Sequence, residues 1–199
     1  MLIIPENKPS GWIHCSCCNW PEDFPYKPDV QFRVWHDREH FNIIFRVSEE
    51  TTKAEQDSVG APVHRDSCVE CFIQPEDGEK YYNFEWNAAG HLAMAWRSGR
   101  EDAESAPANV IESVSAVPSL GSTPFGEKSV GKPWTLEVTI PVSALFRSSL
   151  SSWKGLRCRI NFFKCGDGLK KQAFLSWAPI DTPTPDFHRP EFFREAVFE

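Results

Sequence analysis

Along much of the chain, apolar side chains recur at every second position, and this alternation restricts the possible folds more than any other feature. It runs through Val30 to Trp35, Phe41 to Val47, Cys68 to Ile73, Tyr81 to Trp86, His91 to Trp96, Val110 to Val117, Trp134 to Ile140 and Leu156 to Phe163. Successive side chains of a strand point to opposite faces of a sheet, so a period of two marks a strand with one covered face. Turn-forming clusters separate the runs: Asp37-Arg38-Glu39, Pro75-Glu76-Asp77-Gly78, Asn87-Ala88-Ala89-Gly90 and Gly166-Asp167-Gly168. The third of these joins two aromatic-rich runs, so Tyr81 to Trp96 reads as a hairpin. Only Val142 to Leu150, behind Pro141, reads as helical. The expected fold is all-β, an antiparallel β-sandwich or jelly roll of about ten strands with one short helix.

A length of 199 residues suits one such domain over residues 1–199, with the N-terminal segment 1–28 and a Pro-rich strap over 178–195 packed on it. Pro179, Pro183, Pro185 and Pro190 favour an extended path for that strap, ahead of a last strand near Ala196 to Phe198. Glu49 to His64, Gly99 to Asn109 and Pro118 to Lys132 lack periodicity, and long loops on such folds tend to carry function. The net charge of -7 and the absence of a Lys/Arg run disfavour nucleic acid and anionic membrane as partners. MLIIPENKPS has no basic segment and too short an apolar run for a signal peptide, so the chain as written is expected in the cytoplasm, or in the periplasm or outside the cell if a leader has been removed. The odd count of 7 Cys suits a reducing compartment.

Placing the aliphatic alternates inward gives core sets Val69, Cys71, Ile73; Leu136, Val138, Ile140; and Cys158, Ile160, Phe162. The opposite faces carry Glu70 and Phe72; Thr135, Glu137 and Thr139; and Arg157, Arg159, Asn161 and Phe163. In the hairpin, Asn83, Glu85 and Asn87 lie opposite Tyr82, Phe84 and Trp86. A solvated sheet face with cross-strand Glu–Arg pairs would explain these residues one at a time. As a set, planar Glu, Asn and Arg groups suit vicinal diols, because each spans two neighbouring hydroxyls. The chain also holds 8 Trp, whose ring faces suit the C–H face of a pyranose. The combination points to sugar.

The runs HRDSCVECFIQPEDGEKYYNFEWNAAG (His64 to Gly90), WTLEVTIPVSAL (Trp134 to Leu145) and NFFKCGDGLKKQAFLSWAPIDTPTPDFHRPEFF (Asn161 to Phe193) together resemble the family 9 carbohydrate-binding modules, in particular stand-alone bacterial proteins of that type. The resemblance implies a β-sandwich related to the sugar- or haem-binding DOMON domains. It further implies non-catalytic binding of a mono- or oligosaccharide end in support of polysaccharide use, a carbohydrate ligand, a glycoside hydrolase as partner, and structural calcium. Two Trp rings hold the glycan in that family, and Trp177 and Trp96 are the candidates here. The polar ligand-binding candidates are Arg65, Asp66, Glu70, Glu85, Asn87, Arg159, Asn161, Lys164, His188 and Arg189. The turn carboxylates Asp66, Glu76, Asp77 and Asp167 are candidates for calcium, since hard oxygen ligands cluster at turns.

Other chemistries compete. Cys68 and Cys71 form a CxxC, but residues three apart on a strand face opposite ways, which argues against a shared metal. His14-Cys15-Ser16-Cys17-Cys18 is a denser cluster without an obvious second ligand pair, so buried structural thiols are expected there. Glu70 and Glu85 could serve as a glycosidase pair, making the chain a hydrolase of O-glycosyl bonds. Met94 with Lys164 or His91 could ligate haem, although Leu92, Met94 and Trp96 read as an inward set.

Overall fold

The computed structural model describes residues 1–76 and 78–199. Its strands are β1 (Leu2–Ile4), β2 (Ile13–His14), β3 (Cys17–Cys18), β4 (Asp29–His36), β5 (His40–Ser48), β6 (Thr52–Ala54), β7 (Cys68–Pro75) and β8 (Tyr81–Asn87). They continue with β9 (Leu92–Arg97), β10 (Ala103–Ser105), β11 (Ser115–Pro118), β12 (Phe125–Lys128), β13 (Trp134–Pro141), β14 (Arg157–Cys165), β15 (Leu175–Ser176) and β16 (Arg194–Phe198). A large sheet runs β1-β16-β14-β7-β8-β9-β10, with β15 and β3 added beside β14, and a smaller sheet runs β11-β13-β5-β4-β2. β6 and β12 form a separate ribbon. Within the two main sheets the pairs are antiparallel except β1 with β16, which is parallel.

The inward alternates of the two sheets meet in one core, which is what makes the fold a β-sandwich. Phe32, Phe45 and Val138 from the small sheet pack with Val69, Phe84, Ile160 and Phe162 from the large one. Phe32 and Phe162 stack with centroids 4.0 Å apart. Each such side chain, fully withdrawn from water, contributes about 1.5–3 kcal/mol. The hairpin forms as expected from β8 and β9, and Gly90, at φ 82, closes its turn where a side chain would meet Ala116 and Pro118.

The helix lies elsewhere than expected. Val142–Ala144 makes only one 3-10 turn, ending where Leu145 N bonds back to Val142 O. The α-helix, α1, is Ala108–Ser113, started by Pro107, so the run Val110 to Val117 keeps strand geometry only from Ser115 onward. β-branched Val110 and Ile111 read as strand residues, yet Val110 N and Ile111 N both bond to Pro107 O, and the local turn wins.

The outer face of the large sheet is covered as well. Phe72, Tyr81 and Phe163 project from it among the polar residues and pack against Trp20, Ile180, Phe187 and Phe193 from the two terminal segments. Phe163 and Phe187 stack at 4.4 Å. Polar anchors fix the cover: Trp20 Nε1 donates to Thr182 O at 2.7 Å, and Arg159 Nη2 donates to Glu191 O at 2.9 Å and Phe193 O at 3.0 Å. The polar face is therefore partly roofed.

Candidate functional site

Between this cover and the sheet, over β7, β8 and β9, lies a cavity of about 640 Å³. Its depth originates in β9, where large Leu92, Met94 and Trp96 alternate with Ala93 and Ala95. The alanines face outward opposite Glu85 and Asn83, so the sheet there has side chains too short to fill the space under the strap. Glu70, Asn83, Glu85 and Arg97 supply polar groups from the floor. His64, Arg100, Asp167 and His188 stand around it with Phe174 and Phe187, and Val59 to Pro62 close one side.

Glu70 and Glu85 are register partners across β7 and β8. Asn83 Nδ2 donates to Glu85 Oε1 at 2.6 Å, and His64 Nδ1 stands 4.0 Å from Glu85 Oε2. Burial raises the pKa of both carboxyls; the Glu85 charge raises Glu70 further, while His64 and the Asn83 bond partly offset the rise at Glu85. Burial likewise raises Asp167. A carboxyl that keeps its proton can donate as well as accept, which matches a hydroxyl in both directions. Asn83 Oδ1 and Arg97 Nε are buried and have no hydrogen-bond partner among the described residues. Such groups cost free energy until a ligand or water meets them. His188 Nδ1 lies 2.9 Å from Tyr81 Oη, and its ring stacks on Phe72. Burial, with the charges of Arg97, Arg100 and His64, lowers its pKa to about 3.

Of the residues singled out from sequence, Glu70, Glu85, His188 and Asp167 line the cavity. The others serve elsewhere. Trp177 is a plug at the sandwich edge, its ring edge-on to Phe32 and Phe162, and Trp96 packs against the inter-sheet core under Lys80. Lys164 pairs with Glu49 at 3.1 Å, both side chains 1% exposed, and donates to Cys165 O. Asn161 bonds both backbone groups of Ala178, while Asn87 holds its own turn through Ala89 N and His91 N. Arg159 pins the strap, and Arg189 pairs with Glu191 on the surface.

The expected Arg65–Asp66–Glu70 network does not form. Arg65 is exposed, Asp66 Oδ2 accepts from Glu55 N, Gln56 N and Asn87 Nδ2, and Glu70 meets only the thiols of Cys68 and Cys165. Nor does the calcium set converge: Asp66 precedes β7, Glu76 follows it in an ion pair with Arg157, and Asp167 follows β14; Asp77 lies outside the described residues. Cys15, Cys17 and Cys18 donate separately to Phe162 O, Trp177 O and Phe24 O rather than sharing a centre. Met94 packs in the inter-sheet core, Lys164 is paired, and His91 bonds Ser122 O at the hairpin turn, so no haem ligand pair is assembled.

Asn83, Arg97, His64, Phe174 and Phe187 were missed as site residues. The small–large alternation of β9 was the available signal for the cavity beneath them.

A candidate carbohydrate-binding protein from Bacteroides uniformis ATCC 8492 has a similar structure, with TM-score 0.91 and 38% identity over 95% of this chain and 86% of that one. Two structures of a family 9 carbohydrate-binding module from Caldicellulosiruptor kristjanssonii, with glucose and with cellotriose, match all of this chain and 95% and 93% of theirs. Their TM-scores are 0.62 and 0.57 at 9% and 8% identity, a likeness of fold. No curated protein matches the chain. The family profile described as carbohydrate-binding family 9 matches residues 3–198, and the chain belongs to that family.

Proposed function

We propose that the cavity over β7, β8 and β9 binds a mono- or oligosaccharide end without altering it, in support of polysaccharide use. The unpartnered Asn83 Oδ1 and Arg97 Nε beside Glu85 carry this reading, since a polyol offers donors and acceptors to all three at once. Phe174, Phe187 and the alanines of β9 supply an apolar side for the sugar's C–H groups. Family membership and the glucose and cellotriose held by the Caldicellulosiruptor modules support the same reading. Binding suits the carboxyls better than hydrolysis: glycosidase pairs need one ionised carboxylate, whereas burial favours the neutral form of both Glu70 and Glu85.

Calorimetric titration with glucose and cellotriose tests it, alongside a reducing-sugar assay on the cellotriose sample. The expected outcome is saturable binding in the micromolar to millimolar range, weakened about tenfold in Asn83→Ala, with no hydrolysis. Binding unaffected by Asn83→Ala and Arg97→Ala would place the sugar elsewhere, and released glucose would make the protein a hydrolase.

A further inference from the structure

Cys68 and Glu70 lie two residues apart on β7, and Cys165 is the register partner of Cys68 on β14. All three therefore project from the outer face of adjacent strands. Cys165 Sγ is 2.9 Å from Glu70 Oε1, Cys68 Sγ is 3.8 Å from the same oxygen, and the three ligating atoms lie within 4.8 Å of one another. The residues are 0%, 3% and 2% exposed in chain order. Among the described residues no other group of three or more His, Cys, Asp or Glu comes together in this way. Glu70 forms no ion pair there, its carboxyl meeting only the two thiols.

These distances are near those of a tetrahedral centre. Bonds of about 2.3 Å to sulfur and about 2.0 Å to oxygen place two sulfurs about 3.8 Å apart and sulfur and oxygen about 3.5 Å apart. Small side-chain rotations on fixed strands supply the difference. We propose that Cys68, Glu70 and Cys165 form a three-ligand site for a thiophilic divalent metal ion of the zinc class. Glu70 and Cys165 also line the cavity, so the fourth coordination position opens into it, toward water or a ligand hydroxyl. Binding exchanges the two thiol protons for the metal and releases them to solvent, and the paired thiolates select zinc over calcium or magnesium. The inference goes beyond carbohydrate binding and does not rest on it.

The test is a cobalt(II) titration of the reduced, sugar-free full chain. One equivalent of cobalt should give an intense near-ultraviolet thiolate-to-cobalt band that zinc abolishes by displacement. Cys165→Ser and Cys68→Ser should each lose most of that intensity, Cys17→Ser and Cys18→Ser should keep it, and isosteric Glu70→Gln should weaken cobalt binding about tenfold or more. Wild-type protein without the band overturns the proposal whether or not the variants fold. A band that survives in Cys165→Ser, or vanishes in Cys17→Ser, does the same.

Discussion

His188 couples the fold's stability to pH. Its ring is stacked on Phe72 and bonded to Tyr81, and burial with nearby Arg97, Arg100 and His64 lowers its pKa from 6.5 to about 3. A depressed histidine contributes stability above its unfolded pKa and loses it as pH falls toward the folded one, because only the unfolded chain binds the proton in that window. Between pH 7 and pH 5 the unfolded state gains about 2 kcal/mol from this single group, at about 1.36 kcal/mol per pH unit below 6.5. Glu70 and Glu85 act in the opposite sense, since raised carboxyls favour the folded state as pH falls. The difference between wild type and His188→Gln isolates the histidine. Urea melts at pH 7 and pH 5 should show wild type losing about 2 kcal/mol more than His188→Gln over that interval. Equal losses would mean that the ring is protonated in the folded protein and that the strap does not shield it.

Lys164→Met should cost about 3–5 kcal/mol, read by urea melts, because it leaves Glu49 buried without its cation; adding Glu49→Gln should recover part of that, and a loss under 1 kcal/mol would refute the buried pair. Trp177→Ala should lower stability by about 3 kcal/mol with sugar titrations unchanged, and lost binding with intact stability would restore it as a stacking platform.

The strands were legible because alternation is a local property: β4, β5, β7, β8, β13 and β14 begin and end within two residues of the sequence expectation. Alternation also separated Glu70, Asn83 and Glu85 from the core side chains. It could not say what covers the second face. That cover comes from Trp20 and from Ile180 to Phe193, whose apolar residues follow no period because the strap is extended and Pro-rich. A strand-ending tryptophan is equally compatible with a platform and a plug, and the choice at Trp177 depended on Phe32 and Phe162 from two different sheets. The partner of Lys164 follows the end of β5, and Cys165 meets Glu70 only through the β7–β14 register, pairings that one strand's pattern does not contain.

The parallel pairing of β1 with β16, Leu2 opposite Ala196, also orders the assembly of the protein in time. The hairpins β4–β5 and β7–β8–β9 can close as they leave the ribosome, because their partners are neighbours in sequence. β1 has no partner in the large sheet until β16 exists, and β14 keeps one edge open over Arg157 to Ile160 until the same moment. Such non-local closure belongs to slow, millisecond-to-second folding rather than to fast local collapse. A nascent chain paused before Arg194 presents both strand edges at once, which makes this the step of synthesis most exposed to mispairing between chains.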